Sequence, residues 1–317
     1  MSSRSNDQGR AYEYITLITL HSEISKKRKA TIKQNSSLLA AKDAWGNIDR
    51  NLQNTLSLSA KSIVPTIFEL EPLILEDDGD EVELFIQKDQ KGEDGDVRDI
   101  LIVRSGIEWE IGLSMKHNHF AVKHSRLSPL IDFGEKWFGY KCSDSYWSKT
   151  KPIFNKLEKY KALGTLWSEV PKKQEDIYVP ILNAFIEEIN SAYSAHKDIP
   201  AKMTGYLLGE YDFYKVISID NEKTTRVNVF NLYGTLNQSG KVKKPKRIIP
   251  QIPLPTRIVS LGFKPKSKTT VELYMDNGWQ FSFRIHSADS YVENSLKFDI
   301  QIIGMPATIV TINCRWK

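Results

Sequence analysis

Residues Gly95–Ser128 read GDVRDILIVRSGIEWEIGLSMKHNHFAVKHSRLS, and their pattern decides the fold. Arg98–Arg104 (RDILIVR) is an apolar run with Asp99 near its start. Ser105-Gly106 is a turn signal. Glu108–Met115 then alternates and ends at Lys116. Successive strand side chains point to opposite faces, so Asp99, Leu101 and Val103 share one face of the first strand, and Glu110, Gly112, Ser114 and Lys116 share one face of the second. A four-residue turn (Ser105 to Glu108) pairs Arg104 with Trp109 and sets Asp99 opposite Ser114. A two-residue turn sets Asp99 opposite Gly112 instead. Either register keeps Asp99, Glu110, Ser114 and Lys116 on one face. With the apolar run Glu83–Gln87 upstream, the expectation is a three-stranded antiparallel meander flanked by helices.

Working outward, Gly9–Arg28 carries Tyr14, Leu17, Ile18 and Ile24 at helical spacing. Glu13 falls in its first turn, where a carboxylate favours the helix dipole or faces a metal. A second helical region runs from Ser36 to Ile63, with Gly46 as an interruption and Pro65 as a stop. Glu69 and Glu71 before Pro72 read as a solvated edge. Beyond Ser128, Trp137, Tyr146 and Trp147 read as core or loop anchors. Lys149–Trp167 and Gln174–His196 are amphipathic helices. From Met203 the pattern is short β-type runs, and Asp276-Asn277-Gly278 is a hairpin signal. The expected organisation is a helix-rich part, 1–200, containing the meander at 83–128, and a β-rich part, 201–317.

No run of about 18 apolar residues is present, so neither a membrane span nor a membrane partner is expected. The polar start MSSRSNDQGR is no secretory signal. Cys142 and Cys314 are the only cysteines, which suits a reducing cytoplasm and argues against structural zinc. Charge is segregated along the chain. Glu76–Asp96 holds ten acids and two lysines, whereas Lys223–Thr270 holds eleven lysines or arginines and no acid, more than twice the net charge of +5. A local basic surface of that kind suits a polyanion.

An acid on one strand and a lysine closing the next is the layout of a metal-dependent phosphodiesterase. It resembles the PD-(D/E)XK nuclease site, an acid followed by acid-x-Lys. The fold class implied is α/β (α+β), a PD-(D/E)XK restriction-endonuclease-like core with a mixed sheet flanked by helices. Asp99 matches the first acid and Lys116 the lysine, while Ser114 stands at the second acid's position. A second metal-binding carboxylate then comes from Glu110, about 13 Å along the strand from Ser114, or from Glu13 on the helix. The resemblance implies Mg²⁺, a hard cation held by one or two carboxylates. Lys116 would orient the attacking water, and the products would be a 5′-phosphate and a 3′-hydroxyl.

The acid-free exit carries Lys116, Lys123, Arg126, His117, His119 and His124. Phosphate contacts by Lys123 and Arg126, with His117 and Asn118 beside them, are expected. The His-Asn-His run also admits a ββα-metal nuclease, although that motif spreads its histidines over a hairpin and helix.

The blocks GRAYEY, RDILIVRSGIEWEIGLSMKHNHFAVKHSRLS, DFGEKWFG, YLLGEYDFYKVIS and GWQFSFRIHSA resemble the HaeIII restriction endonuclease family over nearly the full chain. That resemblance implies a type II enzyme that cuts double-stranded DNA at GGCC between the central G and C, leaving blunt ends. It also implies a cognate methyltransferase on the same site. A palindromic target suggests a homodimer, although a monomer acting on each strand in turn is the alternative. Lys243, Lys244, Lys246 and Arg247 lie in a Pro-flanked loop suited to phosphates. Arg257, Arg284 and His286, on or beside strands, are the base-reading candidates. An internal pair of Arg284 with Asp289 or Asp299 is the structural alternative. The rival functions are a repair or resolvase-like nuclease of the same fold, and a non-catalytic DNA-binding protein.

Overall fold

The computed structural model describes the chain apart from residues 1, 77, 89–95, 119–120, 124 and 242–247, and apart from the side chains of 2–6 and 121–123. It is mixed α/β, as expected. The helices are α1 (Ser2–Ser25), α2 (Ser36–Asn47), α3 (Arg50–Leu70), α4 (Phe133–Phe138), α5 (Asp144–Ala162), α6 (Val179–Ala195) and α7 (Ile199–Leu208). The first strands are β1 (Ala30–Ile32), β2 (Val82–Ile86), β3 (Ile100–Arg104), β4 (Trp109–His117), β5 (Ala121–Lys123) and β6 (Arg126–Leu127). The later ones are β7 (Phe213–Ile219), β8 (Thr224–Phe230), β9 (Ile258–Phe263), β10 (Thr270–Met275), β11 (Gln280–Ser287), β12 (Leu296–Gly304) and β13 (Thr311–Arg315).

The chain divides into two compact units interleaved in sequence. One comprises Met1–Phe120, Glu210–Ile252 and Thr308–Lys317; the other comprises Ala121–Gly209 and Pro253–Ala307. The first unit contains a mixed sheet in the order β1-β2-β3-β4-β7-β8-β13. Within it β2, β3 and β4 form the antiparallel meander. β4 pairs in parallel with β7, and β1 with β2. Strands β7, β8 and β13, from the β-rich last third, thus complete the sheet that the meander begins.

One face of this sheet is packed under α1 and α3. Tyr12, Leu17, Leu20 and Ile24 of α1 and Leu56, Ile63 and Ile67 of α3 are buried with Leu84, Ile100, Ile102, Ile111, Leu113, Tyr214 and Val216. Each such large aliphatic side chain contributes about 1.5–3 kcal/mol. Strand alternation therefore directs Asp99, Ser114 and Lys116 to the other face.

Local readings shift in four places. α1 begins at Ser2, so Glu13 lies in mid-helix and not in a first turn. Pro65 lies inside α3, which runs on to Leu70 because Val64, Ile67 and Leu70 bury there. The break between α2 and α3 is made by Asp49, whose carboxylate caps the N–H groups of Asn51 and Leu52. Tyr206–Leu208 end a helix and do not start a strand.

The second unit holds the sheet β5-β12-β11-β10-β9, with β6 pairing β12. Its inner face buries Phe281, Phe283, Ile285, Phe298 and Ile300. Phe283 and Phe298 meet Trp137 and Phe185 at ring separations of 5.1–6.1 Å, so Trp137 is a core anchor. The Asp276–Gly278 turn joins β10 to β11 with Asn277 at φ 58°. Both cysteines are free thiols. Among the described residues no helix is long and apolar enough to cross a membrane.

Candidate active site

The four-residue turn is the one formed. Arg104 pairs with Trp109 and Ile100 with Leu113, and the Asp99 N–H donates to the Leu113 carbonyl at 2.8 Å. Asp99 thus faces Ser114. Its Oδ2 accepts from the Met115 N–H at 2.6 Å, from Ser114 Oγ at 3.4 Å and from Lys116 Nζ at 3.4 Å. None of the described hydrogen bonds uses Oδ1. The Asp99 and Lys116 side chains are 26% and 28% exposed, open enough for a substrate yet held by the sheet.

A residue not singled out from the sequence joins this group. Lys215 of β7 is the cross-strand partner of Ser114 and so lies on the same face. It is buried in the apolar strand FYKVISI. Burial pushes its pKa down to about 7, the charge of Lys116 pushes the same way, and that of Asp99 opposes it. The signal in the sequence was a lone lysine inside an otherwise apolar strand.

Glu110 is engaged elsewhere. Its carboxylate takes a 2.8 Å hydrogen bond from Arg98 Nη1. The same guanidinium bonds both oxygens of Asp96 at 2.8 Å and lies 4.0 Å from the Tyr211 ring centroid. Arg98 reaches Glu110 by crossing directly over Gly112, where any Cβ would overlap its Cβ, Cγ and Cδ. Glycine is required there for close approach.

Glu13 lines a cavity of about 410 Å³ with Arg10, Ser36, Ser37, Ala40, Ile86 and Lys88. Ile86 belongs to the core packed under α1 and α3. Among the described residues no group of three or more His, Cys, Asp or Glu side chains is placed to hold a metal ion. Asp99, whose Oδ1 takes none of the described hydrogen bonds, would be a ligand for a hard divalent cation here, with waters and a substrate phosphate filling the remaining positions. Mg²⁺ accepts such a set because it keeps several waters when protein-bound.

The exit from β4 is closed by Asp220. Its Oδ2 meets His117 Nε2 at 2.8 Å and Asn118 Nδ2 at 3.0 Å, and its backbone N–H donates to Asn118 Oδ1 at 3.0 Å. His117 and Asn118 thus tie β4 to the β7–β8 turn. Arg126 is exposed and bonds Ser295 Oγ at 3.1 Å. Lys123 lies in β5, with its side chain outside the described residues, as are His119, His124, Lys243, Lys244, Lys246 and Arg247. Arg257 is exposed, and its backbone N–H donates to Asp276. Arg284 pairs with Asp299 at 3.3 Å, the internal alternative named above. His286 Nδ1 lies 2.6 Å from the Ser287 carbonyl.

Glu71, read as a solvated edge, is fully buried. Tyr214 Oη (2.5 Å), the Asn237 N–H (2.8 Å) and Trp109 Nε1 (3.3 Å) all donate to it. Burial pushes its pKa up to about 7.

Comparison with known proteins adds two matches. The family model described as HaeIII restriction endonuclease covers residues 9–306. The Type II restriction enzyme HaeIII of Haemophilus aegyptius is 50% identical over 318 residues, covering all of both chains. No solved structure matches. A site with one carboxylate and a lysine at adjoining strand ends, carried by a chain related over its full length to a restriction enzyme, places the protein: it belongs to the HaeIII restriction endonuclease family.

Proposed function

We propose that this enzyme hydrolyses double-stranded DNA at GGCC in a Mg²⁺-dependent reaction, cutting between the central G and C to leave blunt ends with 5′-phosphate and 3′-hydroxyl termini. The observation that carries the reading is the full-length 50% identity to the type II enzyme HaeIII. The convergence of Ser114, Met115 and Lys116 on Asp99 supports the chemistry.

A phosphodiester resists hydrolysis because its charge repels nucleophiles. Bound Mg²⁺ supplies a Lewis acid that lowers the pKa of a coordinated water and offsets charge on the phosphate. Asp99 would hold the cation, its carboxylate oriented by the three donors on Oδ2. The Lys116 ammonium orients the attacking water and stabilises the charge that develops on phosphorus oxygens. Arg126 and the basic stretch after Lys223 contact phosphates, and Arg257 stays with Arg284 and His286 as a base-reading candidate. A methyltransferase protecting the same site, action in the cytoplasm and a homodimer on the palindrome complete the proposal.

Plasmid digestion in Mg²⁺ and in EDTA tests it. Discrete fragments ending at GGCC are expected only with Mg²⁺. Random nicking would favour a repair-type nuclease, and a mobility shift without cleavage a binding protein. Asp99→Asn should lower the cleavage rate by at least about 10²-fold while keeping GGCC binding in a mobility-shift titration. A variant that still cuts at the wild-type rate would place the metal elsewhere.

A further inference from the structure

The outer face of β10–β11–β12 is polar where the inner face is aromatic. Arg284 and Asp299 are direct cross-strand partners on it, as are Ser282 and Gln301. The two carboxylates on this face differ in their surroundings. Glu272 has both oxygens occupied, by Tyr274 Oη at 2.7 Å and by Lys264 Nζ at 3.6 Å. Asp299 has only its Oδ2 engaged, by Arg284 Nη2 at 3.3 Å and Gln301 Nε2 at 3.4 Å. Its Oδ1 is buried and accepts no hydrogen bond among the described residues. The Asp299 side chain is 9% exposed while that of Arg284 is 61% exposed.

A pair serving stability alone would be expected to close bidentately, since a fork-to-fork arginine–carboxylate contact satisfies both oxygens. Leaving a buried carboxylate oxygen without a partner is unfavourable. The arrangement is instead half made: a carboxylate fixed at the base of an arginine, with the arginine's remaining donors turned to solvent. In the major groove guanine presents two acceptors, N7 and O6, which match two guanidinium N–H groups.

We infer that Arg284 is the residue that reads a guanine of the target through N7 and O6, and that Asp299 is its positioning residue. On DNA, Arg284 turns Nε–H onto Asp299 Oδ1, closing the carboxylate pair, and presents its outer N–H groups to the base. This rests on the GGCC reading above and adds to it the residue that discriminates a G·C pair.

The experiment uses the full chain and short duplexes carrying GGCC, single-base variants of it, and GGCC with 7-deazaguanine at each guanine in turn. With wild type, removing N7 at one of the two guanines should lower kcat/KM by about tenfold. In Arg284→Ala, kcat/KM on GGCC should fall about 10- to 100-fold, and the same 7-deazaguanine should bring no further loss. Asp299→Asn should lower the ratio of GGCC to single-base-variant cleavage with the melting temperature unchanged or raised. A merely structural role would not move that ratio. If Arg284→Ala pays the full 7-deazaguanine penalty, or Asp299→Asn keeps wild-type discrimination, the assignment is overturned. If wild type fails to cut GGCC at all, the proposed target itself fails, a result recognisable before any variant is made.

Discussion

Burial governs the protonation of Glu71. Its three neighbours are all donors, an arrangement suited to a carboxylate, yet desolvation outweighs them and holds the pKa at about 7, up from an ordinary 4.5. Between that ordinary value and about 7 the unfolded chain has lost the proton that the folded chain keeps, so stability falls as pH rises from about 4.5 to about 7 and then levels off. The drop is roughly 3 kcal/mol at most. Urea denaturation across this range should show it, and Glu71→Gln should flatten it whatever the variant's overall stability. A slope that survives in Glu71→Gln would assign the titration to another group. The burial was not legible in ELEPLILEDD, because the partners Tyr214 and Asn237 lie far along the chain. Asp99 and Lys116 were legible, since alternation and one turn place them.

At the scale of elements, β4 does most of the organising. It carries Ser114 and Lys116, pairs antiparallel with β3 and parallel with β7, and so sets Asp99 on one side of Ser114 and Lys215 on the other. Its last residue, His117, and the following Asn118 are held by Asp220 of the β7–β8 turn. Asn118 sits at φ 51°, a left-handed conformation that asparagine tolerates better than most residues. Asp220→Ala removes partners of two side chains and frees the strand end beside Lys116. It should cost about 1–3 kcal/mol in urea denaturation and slow plasmid cleavage. A variant as stable as wild type would show that the clasp contributes nothing to the strand end. The sequence shows at His117 and Asn118 a basic exit from the strand and not the acid that engages it. Pro65 misled for a similar reason, since the apolar face of α3 outweighs one missing hydrogen bond.

At the scale of the whole chain, charges segregated in sequence meet opposite charges among the described residues. The acid-rich stretch supplies Asp78 and Asp80 to the buried Arg28 and Arg104. Within the acid-free stretch, Lys241 faces Glu108, Lys264 faces Glu272 and Lys268 faces Glu175. If all eleven cations of that stretch met phosphates, the logarithm of the DNA association constant would fall against log salt with a slope of about −10. With three already facing carboxylates, a shallower slope is expected in titrations between about 50 and 200 mM salt. A slope of −10 or steeper would mean that DNA takes these lysines from their carboxylates.

The strands of the meander, the turn between them and the shared face of Asp99, Ser114 and Lys116 were already present in residues 83–117, because side-chain alternation and turn chemistry are local. Family membership was legible for a different reason: long blocks of sequence carry it whatever the fold. Partner choice needed the folded chain. Only there does Arg98 cross Gly112 to take Glu110, does Glu13 come to line a cavity with Arg10 and Lys88, and does the return of β7 bring Lys215 beside Ser114. Ion pairs and burial depend on which distant segments meet, and a strand's own pattern does not record its neighbours.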